Sequence, residues 1–350
     1  MPGCANTAAV TWCPSLDRGD RLAGALLGQA LGDALGFVVE AEPPEVARAY
    51  VDDCLRAGRA AERSSAHYPF GQYTDDTQLA RELLRSFQEQ QRWDPAAFAL
   101  RVAHLFRDRR EVGAGRGTRT AALRLLMGVH WSEAGTPAPY ARNGSAMRAG
   151  PLGLLFADDG AVSRAAREQS RITHLDPRCA AGAVAVSRAV WLAARGAPME
   201  PHGFLEDLAA AVEPDDLSVA GAIRGLVPWV ALDPIPAARR LHESGLDCAH
   251  HGWQGISAFV TPSVLWSLYA FLHSPDDYWE TICTAIGVGG DTDTMAAMAG
   301  AMSGARLGPA GLPDGLLGRL NDRGEWGAEA LSGLARGCAA LVTELDPGTS

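Results

Sequence analysis

The chain is 350 residues long, with 47% apolar and 21% charged residues and a formal net charge of −10. This composition is typical of a globular protein with a sizeable core, and the negative charge argues against a general nucleic-acid or anionic-membrane surface. Seven scattered cysteines without a C-x-x-C pair favour free thiols in a reducing, cytoplasmic compartment. The first segment, 1–16, lacks a basic region followed by a long apolar run, so we expect a flexible tail and no secretory signal.

Helical periodicity dominates the rest of the chain. Apolar residues recur at every third or fourth position over 22–30 and again over 79–87. The apolar stretch 180–194 contains Ser187 and Arg188, which makes it too short and too polar to span a membrane. Further helices are predicted over 95–108, 116–127, 146–157, 178–195, 217–231, 255–273, 276–286, 293–306 and 325–343.

Proline-rich breaks separate these helices, but none is long or polar enough to be an interdomain linker. No run of alternating β-branched residues and no fixed-period repeat is present. The sequence therefore predicts a single all-α domain over 17–345, larger than a four-helix bundle.

Two clusters of carboxylates and hydroxyls lie far apart in the chain, at Thr74–Thr77 and Asp291–Thr294. Each opens a predicted helix, so one residue of each can serve as a helix cap. A cap accounts for one acid, whereas neighbouring acids repel unless a cation or a proton offsets them. Carboxylate and hydroxyl oxygens are ligands that Mg²⁺ and Mn²⁺ prefer. We therefore predict that folding joins the clusters in a site for one or two divalent ions.

Three further segments carry weaker signals. Asp33 lies in a Gly-Asp-x-x-Gly sequence, where it either serves the site or caps amides at a helix break. Glu40 follows an apolar run, which can raise the pKa of its carboxyl group and suit it to acid–base chemistry. Asn143–Arg148 either presents amides to a sugar or phosphate or forms an Asn-Gly turn. His174 either binds a ligand oxygen or has a structural role.

Taken in order, these segments resemble the ADP-ribosylglycohydrolase family. The resemblance spans roughly residues 20–308 and implies a compact, all-α orthogonal bundle. It also implies a glycosidase that hydrolyses the C1″ linkage of ADP-ribose, with an N- or O-linked acceptor. The expected cofactor is a pair of Mg²⁺ ions, with Mn²⁺ as the alternative. The expected partner of this monomer is an ADP-ribosylated protein or a small ADP-ribosyl conjugate.

The resemblance further implies roles for individual residues. The expected metal ligands are Thr74, Asp75, Asp76, Asp291, Asp293 and Thr294. The expected catalytic residues are Glu40, Asp75 and Asp293. The residues expected to line the ADP-ribose pocket are Asn143, Gly144, Ser145, His174, Gly255 and Ile256.

The chain departs from the family pattern beside the predicted pocket. The loop 136–142 lacks the glycines that are frequent there, and Leu175 replaces a smaller residue. Tyr140 can stack on a base or ribose and Arg142 can pair with phosphate, or the loop can be solvated. The acceptor is therefore open between arginine, serine, O-acetyl-ADP-ribose and other conjugates. The acid–base role is open between Glu40 and Asp75.

Other functions fit less well. A haloacid-dehalogenase phosphatase motif fails at Met295, and an isoprenoid-synthase motif fails at Leu79. Gly113–Thr118 does not match a dinucleotide-binding loop because no strand precedes it, and His250-His251 is a weak metal signal. The stronger alternative is a non-catalytic member of the same fold that binds ADP-ribose or is structural, although retention of every predicted ligand argues against it.

Overall fold

The computed structural model describes residues 16–65, 67–196, 198–244 and 252–345, with 343–345 described by their backbone alone. The predicted tail before Leu16 and the His250-His251 pair lie outside the described residues. Within them the chain is helical and contains no strand. Its α-helices are α1 Arg18–Gly36, α2 Pro44–Tyr50, α3 Asp75–Gln90, α4 Pro95–Arg107, α5 Arg116–Leu126, α6 Asp159–Thr173, α7 Pro177–Ala193, α8 Pro201–Val212, α9 Leu217–Gly225, α10 Pro234–Glu243, α11 Val260–His273, α12 Tyr278–Ile286, α13 Thr292–Leu307, α14 Asp314–Leu317 and α15 Ala328–Leu345.

The all-α prediction is confirmed, but one predicted helix is wrong. Residues 146–157 form no α-helix; a 3₁₀ segment, Gly150–Leu154, lies there instead. The reason is local, because Pro151 lacks an amide hydrogen and the flanking glycines disfavour a long helix. The helix predicted over 255–273 begins only at Val260, since the preceding residues pair with the loop before α13.

The core of the fold is an unusually close pair of antiparallel helices, α1 and α13. Glycines recur at every fourth position of α1 and face small residues of α13. A Cβ atom at Gly28 would lie 2.3 Å from the carbonyl oxygen of Gly300, and one at Gly24 would lie 2.2 Å from that of Gly304. The two backbones are therefore in direct contact, which leaves no room for side chains between them.

This central position accounts for the apolar character of α1. The segment Arg18–Val39 has the length and mean hydropathy of a membrane span, 22 residues and 1.6, yet 89% of its most apolar window is buried inside the molecule. Buried hydrophobic side chains from Leu22 to Val342 belong to one cluster around it. We keep the single domain over 17–345 as a proposal that this shared core supports.

The cysteines that the structure describes have no disulfide partners. Cys54, Cys179, Cys283 and Cys338 are buried and free. Burial raises the pKa of the Cys283 and Cys338 thiols to about 12. These side chains therefore behave as small core residues, in line with the expectation from their spacing.

Candidate active site

The two acid clusters meet because three helix ends converge. The C-terminal end of α1 lies beside the N-terminal ends of α3 and α13. A Cβ atom at Gly36, the last residue of α1, would be 2.4 Å from the carbonyl oxygen of Thr292. The Thr292 hydroxyl donates a hydrogen bond of 2.8 Å to the carbonyl oxygen of Gly36. This packing places the start of the second cluster next to the end of α1.

Asp33 joins the first cluster to the same point. It lies within α1, which ends at Gly36, and of its two predicted alternatives the structure shows the capping of amides. Its carboxylate accepts hydrogen bonds from the Thr74 and Thr77 amides, at 2.9 and 3.1 Å, and from the Thr77 hydroxyl, at 2.6 Å. Asp33 therefore holds the N-terminal end of α3 from outside that helix, where a negative charge is favourable.

Backbone hydrogen bonds of the two residues after Glu40 hold it beside the second acid cluster. The Ala41 amide donates to the carbonyl oxygen of Gly290 at 2.8 Å, and the Gly290 amide donates to that of Glu42 at 2.9 Å. Gly290 has φ +86°, which a residue with a side chain rarely adopts. The glycine-rich loop therefore lets the segment after α1 pair with the residue before Asp291.

These elements bring five carboxylates to one end of a cavity of about 860 Å³. One oxygen from each of Glu40, Asp291 and Asp293 lies within 4.8 Å of the other two. Asp75 and Asp76 line the same cavity, and each of the five side chains is largely or wholly buried. The predicted convergence of the two clusters thus occurs in the folded chain.

Burial raises the pKa of all five carboxyl groups, and repulsion by neighbouring acids raises it further for Glu40, Asp75, Asp76 and Asp293. For Glu40, burial and then the charges of Asp291 and Asp33 raise the pKa to about 7. For Asp75, burial and then the charges of Asp33 and Glu40 raise the pKa well above its usual value. Such a cluster is fully ionised only when cations offset its charge.

The donor set fits a divalent cation. In the described part of the chain, Asp75 Oδ2 and Asp76 Oδ2 are buried without a hydrogen-bond partner. Buried carboxylate oxygens without partners are costly unless they are protonated or bind metal. Thr294 also lines the cavity, and its side chain interacts with Asp76 and Asp291. Thr74 is wholly buried, and its hydroxyl accepts from the Asp76 amide at 3.4 Å, so it caps α3.

Asn143 and Ser145 support the site in different ways. Asn143 lines the cavity, and its amide nitrogen donates to Asp291 Oδ2 and, at 3.0 Å, to the hydroxyl of Ser263. It therefore orients a predicted metal ligand. Ser145 has no exposed surface, and its hydroxyl donates to the carbonyl oxygen of Cys179 at 3.2 Å. It lies behind the cavity wall, as a support for Gly144.

Gly255 and Ile256 also lie behind the wall. The Ile256 carbonyl oxygen accepts from the Asp291 amide at 2.8 Å, and its amide donates to the Gly289 carbonyl oxygen at 3.2 Å. The Ile256 side chain is wholly buried, and a Cβ atom at Gly255 would lie 2.2 Å from the Gly289 backbone. In the described structure both residues brace the loop that carries Asp291, so their predicted contact with substrate stays a prediction.

Tyr140 and His174 line the same cavity as the carboxylates. Their rings stack with centroids 5.8 Å apart and an interplanar angle of 26°. The Gly117 amide donates to the Tyr140 hydroxyl at 3.0 Å. One face of Tyr140 is thus covered by His174, and the guanidinium carbon of Arg116 also lies over the ring, 5.9 Å from its centroid. The predicted contact of Tyr140 with a base or ribose stays a prediction.

Several cavity residues were not singled out by the sequence. The loop that fails as a dinucleotide motif supplies Gly113, Gly115 and Gly117 to the wall. Its glycines were the available signal, because close approach to a ligand requires small residues. The same loop also supplies Arg116 and Thr118, and Met147 lies in the predicted segment 143–148. The other lining residues without a predicted role are Arg178, Trp253, Ala258 and Phe259.

The fold and the site together define an all-α protein with a buried carboxylate centre at one end of a deep polar cavity. Carboxylate centres of this kind are typical of enzymes that act on polar, oxygen-rich substrates with divalent cations. The sequence model of the ADP-ribosylglycohydrolase family matches residues 14–347. The chain therefore belongs to this family of glycohydrolases and is an enzyme.

Individual relatives agree with this assignment. An uncharacterised protein of Archaeoglobus fulgidus is 30% identical over 311 residues, covering 87% of this chain and 92% of the relative. ADP-ribosylhydrolase ARH3 of Homo sapiens is 30% identical over 337 residues, covering 84% and 87%. ADP-ribosyl-[dinitrogen reductase] glycohydrolase of Rhodospirillum rubrum is 28% identical, covering 86% and 90%. A solved ADP-ribosylglycohydrolase-related protein complex is similar with a TM-score of 0.66 and 29% identity, covering 93% of this chain and 99% of the solved one.

Proposed function

We propose that this enzyme hydrolyses the C1″ linkage between ADP-ribose and a protein side chain or small conjugate, with Mg²⁺ as its cofactor and Mn²⁺ as the alternative. The observation that carries the proposal is the convergence of Glu40, Asp75, Asp76, Asp291 and Asp293 at one end of the cavity. The family assignment supports the glycohydrolase reaction. A cavity of about 860 Å³ is within the range of sites for ligands of nucleotide size.

The proposed residues that hold two ions are the aspartates and threonines of the two acid clusters. Divalent ions bound there would supply charge stabilisation and polarise water or ribose oxygens. Asp33 and Asn143 would keep the ligand side chains in position through their hydrogen bonds to the Thr74 amide and to Asp291. The proposed ligands are Thr74, Asp75, Asp76, Asp291, Asp293 and Thr294.

We propose that Glu40 is the base that accepts the proton from the attacking water. This side chain is less buried than the four aspartates, and it faces the cavity. Its pKa of about 7 in the metal-free protein shows that it exchanges protons near neutral pH more readily than an ordinary carboxyl group. As the bond from C1″ to its acceptor breaks, the sugar gains oxocarbenium character, which the nearby carboxylates stabilise. Water forms the new C1″–O bond, and the proton that Glu40 takes from it passes to the departing acceptor.

The rest of the cavity would hold the adenosine diphosphate part. Arg116, Arg142 and Arg178 line it and offer positive charge to phosphate oxygens. Trp253 and Phe259 offer apolar faces to a base. The acceptor, which the sequence leaves open between arginine, serine and O-acetyl-ADP-ribose, is identified with a panel of substrates.

The test is release of ADP-ribose from a substrate panel: ADP-ribosyl-arginine peptide, ADP-ribosyl-serine peptide and O-acetyl-ADP-ribose. We expect turnover of at least one substrate with Mg²⁺ and its loss with EDTA, restored by excess Mg²⁺ or Mn²⁺. Turnover that is unchanged by EDTA would contradict metal dependence. Binding of ADP-ribose without turnover of any substrate would favour the non-catalytic alternative for this chain.

Asp293→Asn tests the carboxylate centre directly. We expect a loss of turnover of at least about 100-fold, since one carboxylate of the centre becomes a neutral amide. The fold should persist, because burial and the charges of Glu40 and Asp291 raise the pKa of Asp293, and the neutral amide removes this repulsion. Asp314→Asn, an exposed acid at the start of α14, is the matched control and should keep full activity. Full activity of Asp293→Asn would contradict the proposal.

A further inference from the structure

A connected line of hydrogen bonds runs from Arg148 through Thr173, both behind the cavity wall, to His174, which lines the cavity. Arg148 has no exposed surface, and its Nη2 donates to the Thr173 hydroxyl oxygen at 2.8 Å. The same hydroxyl lies 2.8 Å from His174 Nδ1. The remaining Arg148 donors bond the Gln169 side chain and the backbone of Gln169 and Gly144.

The direction of this line follows from what each group can donate. A guanidinium nitrogen only donates, so the Thr173 oxygen accepts from Arg148. The single hydroxyl hydrogen of Thr173 then has one acceptor among the described residues, His174 Nδ1. If Nδ1 carried a proton instead, the wholly buried Thr173 hydroxyl hydrogen would have no acceptor among the described residues, which is unfavourable. Nδ1 is therefore the acceptor, and the ring proton lies on Nε2.

Nε2 faces the cavity between two glycines. It lies 3.2 Å from the position of a Cβ atom at Gly117 and 3.4 Å from that at Gly144. Both glycines and His174 line the cavity, and no described residue forms a hydrogen bond with Nε2. The stacked Tyr140 ring fixes the plane of the imidazole. The Nε2 hydrogen is therefore directed into the cavity.

The backbone of His174 is held equally firmly. The Thr136 amide donates to the Thr173 carbonyl oxygen at 2.9 Å, and the Leu175 amide donates to the Thr136 carbonyl oxygen at 2.8 Å. Burial and then the charge of Arg148 lower the pKa of His174 to about 3. The ring is neutral at physiological pH and has one proton to offer.

We infer that Thr173 and Arg148 are positioning residues that hold neutral His174 in its Nε2–H tautomer, so that it donates one hydrogen bond to a phosphate oxygen of the ligand. The ligand part of this inference rests on the proposed function, which makes ADP-ribose the occupant of the cavity. A fixed donor selects an acceptor oxygen at this point of the cavity. It also makes the contact independent of pH between about 5 and 8, because the ring does not titrate there.

The tautomer is measured on the ligand-free, ¹⁵N-histidine-labelled protein by long-range ¹H–¹⁵N correlation spectra. His174→Gln serves only to assign the His174 signals. We expect a protonated Nε2 and an unprotonated Nδ1 from pH 6 to pH 8. A protonated Nδ1, or an imidazolium ring, would overturn the inference whether or not the protein is an ADP-ribosyl hydrolase.

Thr173→Val tests the positioning role, because it removes the hydroxyl and nearly preserves the shape. We expect the Nδ1 signal to shift and the Kd for free ADP-ribose, measured calorimetrically with Mg²⁺, to rise about tenfold, the effect of one charge-assisted hydrogen bond. Thr173→Ser should restore both values. Ser187→Ala removes a buried hydroxyl that bonds only backbone carbonyl oxygens of α7 and Ala149, and it should change neither value.

Equal affinity of Thr173→Val and wild-type protein would overturn the positioning role. If wild-type protein fails to bind ADP-ribose at all, the proposed function and the ligand part of the inference are both wrong. In that case the tautomer measurement still tests the line of hydrogen bonds from Arg148 through Thr173 to His174. The two failures are thus distinguishable.

Discussion

Asp33 shows how a single buried carboxylate can position an active centre without being one of its proposed ligands. It accepts three hydrogen bonds from the first turn of α3. Burial raises its pKa to about 6 even though these bonds lower it. Its charge in turn raises the pKa of Asp75 and Asp76. Asp33 therefore fixes the position of the first acid cluster and also adds to its repulsion.

Thr77→Val should weaken this attachment. The variant loses the 2.6 Å hydrogen bond from the Thr77 hydroxyl to Asp33, and a buried bond to a charged acceptor contributes about 1.5–3 kcal/mol. We expect a loss of this size in the free energy of unfolding, measured by denaturant titration without metal. Thr77→Ser keeps the hydroxyl and should recover most of the loss. Equal stability of the valine and wild-type proteins would contradict this role for Asp33.

At the scale of single residues, the sequence predicts the acid clusters of the site better than the residues that hold them in position. The two acid clusters were recognisable because adjacent acids repel each other, so a structural role alone rarely keeps them together. Arg148 lies in the segment that begins at Asn143, yet its connection to Thr173 depends on how α6 packs, which sequence does not encode locally. Trp253 and Phe259 carry no motif, because an aromatic residue next to a cavity looks the same in sequence as one in the core.

At the scale of elements, the contact between α1 and α13 determines where the site forms. The glycines of α1 allow the two backbones to touch, and this contact ends at Gly36 beside Thr292. Because α1 ends where α13 begins, Asp33 and Asp291 lie at the same level of the bundle. A larger separation of these helices would move the second acid cluster away from the first.

Gly28→Ala tests this contact. The new methyl group would lie 2.3 Å from the Gly300 carbonyl oxygen, so the helices must separate. We expect a loss of about 1–3 kcal/mol in the free energy of unfolding and weaker activity. Gly221→Ala is the matched control, because a Cβ atom at that helical position of α9 meets nothing within 4 Å. It should gain about 0.5–1 kcal/mol from helix propensity. Equal effects of the two substitutions would show that the close contact is unimportant.

The sequence does not predict several of the α-helices. These helices either bury few large apolar residues or begin with proline. α6 buries mainly small or polar residues, such as Ala165 and Gln169, and only Val162 and Ile172 on its buried face are larger and apolar. α10 begins at Pro234, which was interpreted as a break, although proline is favoured in the first turn of a helix. Helices with a clear apolar stripe, such as α4 and α13, are predicted to within about two residues.

At the scale of the whole molecule, the fold concentrates negative charge where it is least solvated. Asp33 and five further carboxyl groups lie at one end of the bundle, and the pKa of each is raised mainly by burial. In the metal-free protein this arrangement opposes folding once the groups ionise. A bound cation would turn the same charges into a stabilising interaction. Stability and metal binding are therefore coupled through pH.

This coupling predicts the sign of the pH dependence of Tm. The pKa is about 6 for Asp33 and about 7 for Glu40 in the folded protein, against 3.8 and 4.5 as ordinary values. At pH values between the ordinary pKa and the folded-state pKa of each group, the folded state binds more protons than the unfolded state. The metal-free stability therefore falls as pH rises through the folded-state pKa values. We expect Tm without metal to fall from about pH 5.5 to pH 8, and the increase caused by Mg²⁺ to grow over the same range.

Glu40→Gln, which removes the group with a pKa of about 7, should flatten the metal-free curve. A metal-free Tm that rises with pH, or a Mg²⁺ effect that shrinks, would contradict a cation site built from these carboxylates.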